Sequence, residues 1–146
     1  MGLFDFARNI GKKIFGSDDD DASEKLQAHI EEDNPGVDDL KVVVKDGVAT
    51  IKGTAKTASA YEKAILMAGN ALGVEEVRAD EFVAPAQTVE VTYYEIIKGD
   101  SLWKIAEKFY GNGSKYTGIF EENREVIKDP DLIFPGQKIR IPMDHK

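Results

Sequence analysis

Tyr93-Tyr94-Glu95-Ile96-Ile97-Lys98-Gly99-Asp100-Ser101-Leu102 is the stretch whose reading decides the fold. Its first five residues are aromatic or β-branched around one Glu, and they read as a strand. Lys98-Gly99 turns the chain, and Asp100 is placed to cap a following helix. Leu102, Ile105, Ala106 and Phe109 then recur at i, i+3, i+4 and i+7, which puts them on one helical face. Gly111 supplies a stop for that helix. A second short helix carries Tyr116, Ile119, Phe120 and Asn123. Ile133-Phe134-Pro135-Gly136-Gln137 then leads into a last strand, Lys138-Ile139-Arg140-Ile141-Pro142. Residues 93–142 therefore read strand, helix, helix, strand, with a four-residue tail behind them.

Working upstream, Ala84-Pro85-Ala86-Gln87 breaks the apolar periodicity and reads as the start of a linker over 85–92. Before it lies a second unit. Residues 23–33 read as a helix, with Leu26 and Ile30 on one face and Asn34-Pro35-Gly36 as the stop. Two strands follow, over 40–45 and 48–54. Asp46-Gly47 joins them as a hairpin, because both residues tolerate positive φ. Thr57 or Ser59 is placed to cap a helix running to about 68. Tyr61, Ile65, Ala68 and Leu72 mark its buried stripe, and Gly69-Asn70 ends it. A third strand covers 74–83. The expected class is α+β, as an αββαβ module over 22–84 and a βααβ module over 93–142.

Residues 1–21 stand apart. Leu3, Phe6, Ala7, Ile10 and Ile14 recur at helical spacing beside Arg8, Lys12 and Lys13. A basic amphipathic stretch of this kind can lie on a membrane surface, but docking on the protein's own fold is the preferred expectation. Gly11 could end a first short helix there. The acidic run Asp18-Asp19-Asp20-Asp21 lacks the spaced oxygens of a calcium loop and reads as a solvated linker whose charge favours the next helix N-terminus.

With 146 residues and 42% hydrophobic content, the chain can build two small cores. A net charge of −8 and a pI near 4.8 disfavour nucleic acid as a partner. The absence of cysteine excludes disulfides, thiolate metal sites and Cys nucleophiles. No apolar run reaches the length of a membrane span, and the first sixteen residues do not pattern as a secretory signal, so a cytoplasmic monomer is expected. No catalytic constellation emerges. His29 and His145 belong to no metal pair, there is no nucleophile elbow or phosphate loop, and the carboxylates show no paired spacing. Trp103 is expected to be partly buried against its own helix rather than to serve as a ligand-stacking platform. The reading is a binding protein rather than an enzyme.

Two family resemblances sharpen this. Val48-Ala49-Thr50-Ile51-Lys52-Gly53 and Gly73-Val74-Glu75-Glu76-Val77, in their αββαβ setting, resemble the BON domain. The Gly99-Asp100-Ser101-Leu102 turn, Ile105-Ala106, Gly111, Asn123 and Pro135-Gly136-Gln137 before Ile141-Pro142 resemble the LysM domain, although the stretch 124–132 is somewhat long for it. LysM domains bind N-acetylglucosamine polymers. The resemblance implies a glycan site at Gly99, Asp100, Ser101 and Leu102 with Leu132, Ile133, Phe134 and Pro135. Without an export signal this is the alternative reading, together with an envelope or membrane-surface adaptor.

The whole arrangement resembles a family of bacterial cytoplasmic potassium-binding proteins. That resemblance implies K⁺ as the ligand and a compact, ion-bound state that senses or buffers the ion. K⁺ is large and weakly hydrated, so neutral backbone carbonyls can replace its water shell. Helix C-termini offer such carbonyls with partial negative charge. Two candidate ends exist, one before Gly11 and one at Gly69-Asn70-Ala71. The expected K⁺ ligands are therefore the carbonyls of Ala7, Ile10, Lys12, Gly69 and Ala71.

Overall fold

A computed structural model describes residues 3–6, 19–71 and 73–145. The expected α+β order is present. The first module is helix α1 (Asp19–Glu32), strands β1 (Val37–Lys45) and β2 (Val48–Ala55), helix α2 (Ala58–Gly69) and strand β3 (Glu76–Val83). The second is strand β4 (Val91–Glu95), helices α3 (Leu102–Tyr110) and α4 (Tyr116–Glu122), and strand β5 (Lys138–Pro142). Helix α1 begins earlier than expected, because Asp19, Asp20 and Asp21 join its first turn instead of forming a linker.

In the first module β1 pairs antiparallel with β2, and β3 pairs parallel with β2. The β1–β2 hairpin turns at Asp46 (φ 50°) and Gly47 (φ 81°), the two positive values this tight turn needs. A parallel pair cannot be joined by a hairpin, so α2 supplies the crossover. Thr57 caps α2, its side chain accepting from the Ala60 N–H at 2.9 Å. Ile65 and Ala68 are fully buried as expected, whereas Leu72 lies outside the described residues. Helices α1 and α2 cover one sheet face, burying Leu26, Ile30, Ile51, Ile65 and Leu66 completely.

Residues 3–6 continue this sheet. The Val77 N–H donates to the Phe4 carbonyl at 2.9 Å, and the Phe6 N–H donates to the Glu75 carbonyl at 3.0 Å. Asp5 thereby bridges Glu76 in antiparallel sense, and the open edge of β3 is covered at its start. Leu3 and Phe6 belong to the same core as α1 and α2. The docking expected of the N-terminal stripe holds at these two residues, whereas Ile10, Gly11 and Ile14 lie outside the described ones.

The second module pairs β4 antiparallel with β5 and packs α3 and α4 around Ile96, Leu102, Ile105, Ile119, Ile139 and Ile141. Gly111 ends α3 at φ 70°, with its N–H on the Glu107 carbonyl at 3.0 Å. Asp100 does not cap α3. Ser101 does, accepting from the Lys104 N–H at 3.1 Å. Asp100 instead closes the preceding turn, accepting from the Ile97 N–H at 3.0 Å and the Tyr94 hydroxyl at 2.5 Å. Trp103 is half-exposed, with its indole lying over Gly113, where a Cβ would come within 2.2 Å of the ring. Among the described residues, no helix is long and apolar enough to cross a membrane.

Candidate functional site

The two modules meet along β5. In the chain this strand alternates Lys138, Ile139, Arg140 and Ile141, a pattern that suggests one wet face. Every residue of it is buried, because the cationic side lies against α2 and the N-terminal residues.

The centre of the junction is the C-terminal end of α2. Gly69 closes that helix, and a Cβ there would sit 2.1 Å from the Phe6 ring. Only glycine lets the ring lie this close to the helix backbone. The next residue, Asn70, treats β5 as a strand treats its neighbour. Its side-chain carbonyl accepts from the Lys138 N–H at 2.8 Å, and its amide donates to the Lys138 carbonyl at 2.7 Å. The Lys138 side chain then runs to the N-terminal residues. Its ammonium donates to the Asp5 carbonyl and lies 4.5 Å from the centroid of the Phe6 ring. Burial lowers the Lys138 pKa, an effect opposed by the Asp5 and Glu95 carboxylates. The Ala71 carbonyl accepts from the Val74 N–H at 3.2 Å, which leaves its second lone pair.

Of the five carbonyls expected to hold K⁺, Gly69 and Ala71 lie at this junction, and Ala7, Ile10 and Lys12 lie outside the described residues. Among the described residues, no group of three or more His, Cys, Asp or Glu side chains is arranged to hold a metal.

A second polar cluster lies further along β5. The Arg140 guanidinium donates to Glu62 of α2 at 3.0 Å, to the Glu122 carboxylate at 3.0 Å and to the Glu122 carbonyl at 3.1 Å. Asn123 exchanges hydrogen bonds with the Arg140 backbone at 2.8 and 2.9 Å. Gln87, in the expected linker, donates to Glu62 at 2.5 Å, so the connection is pinned to α2. The Tyr93 hydroxyl is held protonated, its pKa raised first by burial and then by the nearby Glu62 carboxylate. The stretch 124–132 also bridges the modules. Val126 packs on both cores, Glu125 pairs with Lys63 at 2.9 Å, and Lys128 pairs with Asp33.

The expected glycan loops are adjacent, because the Gly136 N–H donates to the Ile96 carbonyl at 2.7 Å and the Ile96 N–H to the Gln137 carbonyl at 2.8 Å. Several of their side chains are engaged in the fold itself. The Leu102 side chain is 2% exposed in the core of the second module and cannot cover a sugar. The Asp100 carboxylate and the Ser101 hydroxyl are engaged in the turn and the cap already described. Leu132 and Phe134 line a cavity of about 360 Å³ shared with His29, Met67, Asn70 and Ala71 of the first module. Gly99 and Pro135 are exposed, and Ile133 is half-buried.

Sequence reasoning missed Glu62, Lys138 and Arg140, and it read Asn70 as a helix stop without its pairing to β5. Two signals were present: a carboxylate within a helix otherwise rich in Ala, Ile and Leu, and a strand alternating cations with isoleucines.

This geometry defines a fused pair of small binding modules that share a buried polar seam. The BON domain family matches residues 18–84, and the LysM domain family matches residues 94–142. Across 97% of this chain and 99% of that protein, the sequence is 34% identical to the potassium binding protein Kbp of Escherichia coli. The chain belongs to the BON–LysM family that includes Kbp. Shorter similarities link it to an uncharacterized protein of Deinococcus radiodurans, 44% identical over 49% of this chain and 26% of that protein. SpoIVD-associated factor A of Bacillus subtilis is 47% identical over 32% of this chain and 11% of its own length.

Proposed function

We propose that this protein binds K⁺ reversibly where its N-terminal residues meet the C-terminal end of α2, and that the ion draws the chain into its compact state. The observation that carries this reading is the seating of Phe6 on Gly69. It brings the N-terminal residues to a helix end whose carbonyls bear partial negative charge. The carbonyls of Gly69 and Ala71 supply one side of the ion's shell. Those of Ala7, Ile10 and Lys12, which follow Phe6 in the chain, supply the other. Neutral oxygens suit a large monovalent cation, whose hydration is cheap to replace. The Escherichia coli relative, named a potassium binding protein, supports the same ligand. The role that follows is a cytoplasmic sensor or buffer of K⁺, with two non-catalytic modules clasped as a monomer.

An ion bound only by the folded state stabilises it by mass action, by about 2.7 kcal/mol at a hundredfold excess over Kd. Melting the protein in KCl and NaCl of equal ionic strength tests this. The expected result is a higher midpoint and a smaller radius of gyration in KCl. Identical curves and scattering profiles in the two salts would overturn it.

The second reading is glycan binding by the LysM module. It is favoured by the exposed Ile97 and Leu132, 60% and 72% accessible, beside the paired loops. Shifts of the Gly99 and Ile133 amides on adding chitin oligomers would support it.

A further inference from the structure

We infer that the Lys138 ammonium is a tethered cation that competes with free K⁺ for the junction of the N-terminal residues and α2. This inference rests on the K⁺ reading and adds to it a built-in regulator.

Lys138 is 1% exposed and sits on the LysM module, yet its ammonium reaches the Asp5 carbonyl and the Phe6 ring of the other, with the Glu95 and Asp5 carboxylates acting on it as well. The backbone is fixed there by the two Asn70 hydrogen bonds, so the side chain is delivered to one place. That place is built for a monovalent cation. The Asp5 carbonyl accepts one ammonium proton, the Phe6 ring offers a π face, and Phe6 itself rests on Gly69 at the carbonyl end of α2. A primary ammonium and K⁺ carry the same charge, have similar radii and take the same neutral ligands. Two such charges side by side in a poorly solvated junction repel each other strongly. Entry of the ion therefore weakens the hold of Lys138, and the occupied lysine weakens the hold of the ion. Because Lys138 lies on β5, the exchange is felt directly by the LysM module.

The test is Lys138→Met in the full chain, with Lys138→Arg as the charged control, each titrated with KCl by calorimetry against matched NaCl. The expected result is K⁺ affinity raised by about tenfold or more in the Met variant and not raised in the Arg variant. A folded Met variant with equal or weaker affinity than the wild type overturns the inference and leaves the K⁺ reading standing. Loss of K⁺ binding in both wild type and variant overturns both. K⁺ binding by the variant alone supports the inference. Should the Met variant fail to fold, the wild type decides the matter through the NMR signal of its lysine ammonium groups. Release of Lys138 into fast exchange with solvent at saturating KCl is expected. A Lys138 ammonium unchanged by saturating K⁺ overturns the proposal.

Discussion

The Arg140 and Glu62 side chains lie 3.0 Å apart, with 3% and 4% of their surfaces exposed, and they join the two modules through a charge pair removed from water. Such a pair gains little over an apolar contact of the same shape, but breaking it strands the surviving charge. Arg140→Met alone is expected to cost about 3–5 kcal/mol, read as a lowered urea midpoint. Glu62→Met combined with Arg140→Met should recover most of that loss. A double variant as unstable as the sum of the singles would show that the pair is not a coupled unit.

Tyr110 ties α3 to the end of β5, its hydroxyl donating to the Pro142 carbonyl at 2.7 Å. Its pKa is raised to about 12, chiefly by burial and further by the Glu122 and Asp144 carboxylates. A tyrosine raised on folding contributes stability in full below its unfolded value near 10, and that contribution is lost as pH climbs from about 10 through 12. The LysM core is therefore expected to weaken by up to about 2 kcal/mol across that alkaline window. Tyr110→Phe should lower stability at pH 7 by about 1 kcal/mol, through the lost hydrogen bond. It should also flatten the alkaline fall. An alkaline limb identical in both proteins would exclude Tyr110 as its source.

Local signals made each module readable. Hydrophobic periodicity placed Leu26 and Ile30, Asp46-Gly47 forced the hairpin, and Gly111 stopped α3. The seam between modules was hidden because it obeys no local rule. Lys138 and Arg140 alternate with Ile139 and Ile141 as they would on a half-wet strand, and only the arrival of α2 buries them. Asn70 was legible as a helix stop, but its pairing with Lys138 spans 68 residues. Asp100 and Ser101 were ambiguous for a different reason. Both are good capping residues at adjacent positions, and the Tyr94 hydroxyl with the Ile97 N–H draws Asp100 into the turn. The end of α2 was readable from Gly69-Asn70. The contacts of Lys138 were not, since nothing in its own segment points to Asp5 or Phe6.

Gly69→Ala separates helix propensity from docking. In an isolated helix the change would favour folding by about 1 kcal/mol. Here the added methyl would meet the Phe6 ring at 2.1 Å, so the ring must move. The expected outcome is an N-terminal segment cut faster by protease and K⁺ affinity lowered about tenfold, as the fraction of chains competent to bind falls. Unaltered affinity in a variant with a displaced Phe6 would separate the ion from this junction.

Deleting residues 1–16 is the stronger form of that experiment. The deletion removes Leu3 and Phe6 from the BON core, the Asp5 carbonyl from Lys138, and the backbone bridge to the start of β3. The LysM core draws on none of these residues, being built around Ile96, Ile105, Ile119, Ile139 and Ile141. A ligand can tie distant parts of a chain together only by favouring their assembled state. Without one of those parts, K⁺ should produce no rise in melting midpoint and no compaction. The amide spectrum of residues 93–142 should keep its dispersion, with shifts confined to the neighbourhood of Lys138, whose ammonium no longer has the Asp5 carbonyl as acceptor. Truncated protein that binds K⁺ with unchanged affinity would place the ion elsewhere, within the BON module or along its seam with β5.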